Sequence, residues 1–105
     1  MKLSDTRYEE LLEQATVDCY DEEEEFAGIL ATLEDVLDYP LHAMLAGESV
    51  TVREIDSQRS SLRRGILAVA ERNGKSYTVS LADLVFEQLD PESDEWLAMV
   101  RRWAQ

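Results

Sequence analysis

The net charge of this 105-residue chain is confined almost entirely to its first forty residues, and this segregation constrains the fold more than any other feature. Residues 1–40 carry 13 acidic and 2 basic side chains, a net of -11, whereas residues 41–105 carry 10 acidic and 8 basic, a net of -2. The same forty residues show the apolar period of helices, and much of the remainder alternates as strands do. An anionic helical segment is therefore expected to precede a nearly neutral sheet. The length suits one domain, residues 1–105, divided into a helical acidic segment over residues 1–39, a sheet over 41–89 and a closing helix over 90–105.

In the first segment Tyr8, Leu11, Leu12, Ala15 and Cys19 recur at spacings of three and four, with Ser4 or Asp5 placed to cap. A second stripe runs through Phe26, Ile29, Leu30, Leu33 and Leu37 and stops before Pro40. Asp21 suits the cap of this helix, and Glu24 three residues on completes a capping-box-like pair. The residues Asp18 to Asp21 leave open whether the two helices are continuous. Beyond them, Leu41 to Leu45, Ser49 to Ile55, Ile66 to Arg72, Lys75 to Ser80 and Val85 to Leu89 read as short strands, with Val79 to Leu84 as a strand ending in a tight turn. Asn73-Gly74 is the clearest hairpin signal, since both residues tolerate the positive φ of a type I′ turn. Asp56 to Arg64 reads as a loop. Asp90-Pro91, the acids Glu92, Asp94 and Glu95, and the closing Arg101-Arg102 mark a last helix whose Trp96 and Trp103 are expected on the sheet.

The net charge of -13 disfavours nucleic acid and anionic membrane and attracts cations or a basic partner protein. No apolar run is long enough to span a bilayer, and a single cysteine with no secretory pattern makes the cytoplasm the expected compartment. Catalysis is not expected. His42 is the only histidine and has no obvious partner, Cys19 stands on an apolar stripe among acids that raise a thiol pKa, and the 4 glycines form no phosphate loop. With so few soft ligands, a bound metal would be a hard one such as Ca²⁺.

Read as helix, Asp18, Asp21, Glu22 and Glu25 stand at i, i+3, i+4 and i+7 on one face, and Glu34, Asp35 and Asp38 form a second concentration near the end of the next stripe. Carboxylates crowded in this way repel one another, and a divalent cation offsets the repulsion. The EF-hand loop does not supply the site. Asp90, Glu92 and Asp94 imitate its first ligands, but Glu95 takes the place of the required Gly and Arg101 that of the twelfth-position ligand.

The blocks Val17-Asp18-Cys19-Tyr20-Asp21-Glu22-Glu23-Glu24 and Leu33-Glu34-Asp35-Val36-Leu37-Asp38-Tyr39-Pro40-Leu41 resemble the CcbP-type calcium-binding proteins, small acidic non-EF-hand domains of cyanobacteria and other bacteria. Gly28 sits where that family commonly has glycine, and the likeness runs more loosely through Gly47 to Val52, Tyr77 to Leu84 and Trp103. The family's usual aromatic run after the glycine is here Ile29-Leu30-Ala31-Thr32. The resemblance implies an α+β fold, with two amino-terminal helices and a carboxyl-terminal helix packed on a small antiparallel, barrel-like sheet. It also implies reversible Ca²⁺ binding, as a buffer or sensor, with Asp18, Asp21, Glu22, Glu34 and Asp35 as ligands carried over. Glu25 and Asp38 are added by spacing alone. An alternative is an acidic interaction module that docks a basic partner without metal.

Overall fold

The computed structural model describes residues 2–104, which form two compact units, one of residues 2–37 with 91–104 and the other of residues 38–90. The first unit is helical. Helix α1 covers Asp5–Ala15 and helix α2 covers Glu22–Val36, so the chain between them is not helical. Ser4, not Asp5, caps α1, its side chain accepting from the Arg7 N–H at 3.1 Å. The carboxylate of Asp21 caps α2 by accepting from the Glu24 N–H at 2.8 Å. The third helix of this unit spans Pro91–Trp103, with acids in its first turn and Arg101 and Arg102 in its last, the polarity its dipole favours.

These three helices touch one another pairwise and bury the expected stripes. Leu11, Ile29, Leu33, Met99 and Val100 are almost wholly removed from solvent. The ring of Trp103 pairs with Phe26 of α2, the centroids 6.1 Å apart. Burying aromatic and aliphatic area of this kind is the main favourable term in the unit. Two ion pairs tie the carboxyl-terminal helix to α1: Arg7 holds the carboxylate of Glu95 with two nitrogens, at 2.9 and 2.7 Å, and Arg102 reaches Asp5 at 2.6 Å while lying over the Tyr8 ring. No helix among the described residues is long and apolar enough to cross a membrane.

The second unit is a five-stranded antiparallel sheet built from β1 (Leu41–Leu45), β2 (Glu48–Ile55), β3 (Leu67–Arg72), β4 (Lys75–Ser80) and β5 (Leu84–Glu87), in the order β4-β3-β2-β1-β5. One face carries Leu41, Ala43, Val50, Val52, Ala68, Ala70 and Leu84, all buried. On the other, His42 stands between Glu87 and Thr51, followed by Glu71 and Ser76 across successive strands. The register shifts between Val52 and Glu54, so Arg53 bulges out and pairs with Glu71 at 3.0 Å.

The expected barrel does not close. Strands β4 and β5 are the two margins of the sheet, and each pairs on one side only. A three-residue 3₁₀ turn, Leu81–Asp83, joins them, so four chain steps separate Ser80 from Leu84 and their ends lie within about 14 Å. The two margins are therefore tethered by a short turn while the sheet remains open. The run Val79 to Leu84, read as a strand ending in a tight turn, divides into the end of β4 and this 3₁₀ turn, and the Leu81 N–H extends the β3–β4 ladder by one bond to the Ile66 carbonyl at 2.9 Å.

Candidate metal centre

Two groups of acids flank α2. At its amino end, the chain leaves α1 through Thr16 and turns at Asp18, whose φ of 60° lies in the left-handed region that Asp tolerates better than most residues. Asp21 is extended and α2 starts only at Glu22. The single helical face expected for Asp18, Asp21, Glu22 and Glu25 therefore does not form. Glu22 and Glu25 share a helix, while Asp18 and Asp21 are presented by the turn. A single left-handed residue is enough to break the period that the spacing argument assumed.

The turn is tied at several points. The Cys19 N–H donates to the Thr16 carbonyl at 3.1 Å, and the Cys19 thiol to the Glu24 carbonyl at 3.3 Å. Glu24 closes the turn by accepting the Tyr20 N–H at 2.9 Å; the expected capping box is thus displaced by one residue. Partial burial, followed by the fields of Glu24, Glu25, Asp18 and Asp21, holds the Cys19 thiol above its ordinary range, which fits an unreactive thiol. Tyr20 and Val17 are 87% and 66% exposed, so the turn projects into solvent.

Gly28 explains how the turn reaches α2. A Cβ at this position would overlap the Ala15 carbonyl oxygen and stand 3.3 Å from the Cys19 sulfur. Glycine inside a helix costs about 0.5–1 kcal/mol relative to alanine, a cost set here against close approach of two chain segments. The sequence signal for this was an isolated glycine within a helical stripe.

At the carboxyl end, Glu34 and Asp35 are exposed on the last turn of α2, which holds no basic residue. The negative end of the helix dipole and the carbonyls left over by helix termination lie there. Asp21 and Asp35 are separated along α2 by about 20 Å at roughly 1.5 Å per residue. One ion with ligands at 2.3–2.6 Å cannot take both. Asp38 belongs to the sheet unit, where it lines a recess of about 250 Å³ together with His42, Glu87 and Asp90.

Among the described residues, Asp18, Glu22, Glu23, Glu25, Glu34 and Asp35 form no ion pair, and no three His, Cys, Asp or Glu side chains are gathered closely enough to hold a metal ion. The donor chemistry nonetheless suits a hard cation, since carboxylate and carbonyl oxygens dominate both ends of α2. His42 belongs to the sheet unit and Cys19 to the helical unit.

Comparison with known proteins agrees with this architecture. The crystal structure of Anabaena CcbP superposes with a TM-score of 0.78 at 20% identity, covering 100% of this chain and 94% of that one. A calcium-binding protein in its calcium-binding form superposes with a TM-score of 0.76 at 19% identity, covering 95% of this chain and 90% of that one. No curated protein matches the chain. The family model for CcbP calcium-binding proteins matches residues 9–104, and the chain belongs to that family.

Proposed function

We propose that this protein binds Ca²⁺ reversibly through carboxylates of its amino-terminal helices, at two separate places. Asp18, Asp21, Glu22 and Glu25 serve the α1–α2 turn, and Glu34 and Asp35 serve the far end of α2; Asp38 is a further candidate from the sheet unit. The observation that carries this reading is the pair of uncompensated acidic groups at opposite ends of one helix, in a chain that belongs to a calcium-binding family. Convergence on an ion comes from rotation of exposed side chains about fixed backbone positions. The role that follows is buffering or sensing, in the cytoplasm, without catalysis. A non-metal role, docking a basic partner on the same acids, is the second reading, favoured by the exposed Val17 and Tyr20 beside them.

Calorimetric titration with Ca²⁺ and with Mg²⁺ at fixed ionic strength, paired with thermal melts, tests the proposal. At a hundred times the dissociation constant, Ca²⁺ stabilises the native state by about 2.7 kcal/mol for one site. Asp21→Asn and Asp35→Asn should each remove a share of the binding heat. Absence of heat and an unchanged melting temperature in millimolar Ca²⁺ overturn the reading, and salt-sensitive capture of a basic peptide then supports the second one.

A further inference from the structure

The α1–α2 turn packs against α2 at Gly28, where the Ala15 carbonyl and the Cys19 sulfur fill the space that any larger residue would need. Ala15 is buried and ends α1; Cys19 immediately follows Asp18 and stands two residues before Asp21. The Cys19 thiol also bonds the Glu24 carbonyl at 3.3 Å, one turn of α2 before Gly28. The two backbone segments are thus joined on both sides of the acidic turn. Moving either one moves the Cα atoms from which Asp18 and Asp21 project.

We propose that Gly28 is a positioning residue for calcium at the α1–α2 turn: by carrying no side chain it lets Ala15 and Cys19 seat against α2 and so fixes the separation of Asp18 from Asp21 and Glu22. This rests on the calcium reading above and assigns Gly28 no contact with the ion. Groups that hold ligands in place change metal affinity by about 10- to 100-fold when altered. Helix propensity alone makes the opposite prediction, because alanine is the better helix former and α2 would only gain from it.

Gly28→Ala is compared with Val100→Ala, a change in the buried core of the carboxyl-terminal helix. The quantity read is the share of the Ca²⁺ affinity that Asp21→Asn removes from the wild type. Gly28→Ala should weaken it about 10- to 100-fold; Val100→Ala should leave it unchanged while lowering the melting temperature. In metal-free protein, Gly28→Ala should also speed amide exchange at Cys19 and Tyr20, whose N–H groups bond Thr16 and Glu24. Wild-type affinity in Gly28→Ala, or equal weakening in both variants, overturns the assignment. If Gly28→Ala does not fold, Cys19→Val crowds the same wall from the other side and must give the same loss. Failure of the calcium reading itself is distinguishable, since Asp21→Asn would then remove nothing from the wild type.

Discussion

The helical unit and the sheet unit contain nearly equal lengths of chain and handle charge in opposite ways. The helical unit, residues 1–37 and 91–105, has 15 acidic and 4 basic side chains, net -11; the sheet unit, residues 38–90, has 8 acidic and 6 basic, net -2. In the sheet, Arg53 meets Glu71, Arg72 meets Glu48 and Arg59 approaches Asp56. In the helices, Arg7 and Arg102 hold the carboxyl-terminal helix on α1, while among the described residues Asp18, Glu22, Glu23, Glu25, Glu34 and Asp35 form no ion pair. The sheet unit nearly balances its own charge. The helical unit is folded by its apolar stripe against the repulsion of its own surface, which a divalent ion would offset.

This contrast is sharpened most by cutting into that stripe. Ile29→Ala, at a fully buried position of α2, should destabilise by about 2–5 kcal/mol in denaturant melts. A loss near zero would mean that something other than apolar packing holds the helices. In the sheet unit, the smaller test concerns turn geometry. The β1–β2 hairpin has Ala46 at φ 51° and the β3–β4 hairpin has Asn73 at φ 52°, each followed by a glycine with positive φ. Alanine pays about 1–2 kcal/mol for that conformation and asparagine less. Ala46→Asn should therefore stabilise by about 1 kcal/mol, read as a higher denaturation midpoint. The smallest effect belongs to the helical unit's own ion pair. Hydrogen bonding to Arg7 holds the Glu95 carboxyl below its ordinary range. Its stabilisation is then complete above the unfolded carboxyl pKa and fades as pH falls through the folded one. The stability gap between wild type and Glu95→Gln should close on acidification; a gap that widens would break the assignment.

Much of the architecture was legible because it depends on local signals. The stripes through Leu11 and Ile29, the Asp21 cap and the Asn73-Gly74 hairpin each rest on spacing within one element. Two features were hidden because they depend on contacts remote in sequence or on single backbone angles. Closure of the sheet is decided by which strands become margins, and so by tertiary pairing. Asp18 adopts a left-handed angle that shifts two acids off the helical face, an arrangement that residue spacing does not record.

The length of α2 has a consequence for how this molecule would respond to rising ion levels. Charges about 20 Å apart along the helix lie beyond the roughly 8 Å screening distance of physiological salt. An ion seated at one tip leaves the field at the other almost unaltered. Uptake at the two tips should thus be graded, each filling according to its own dissociation constant and with a Hill coefficient near one, instead of switching all at once.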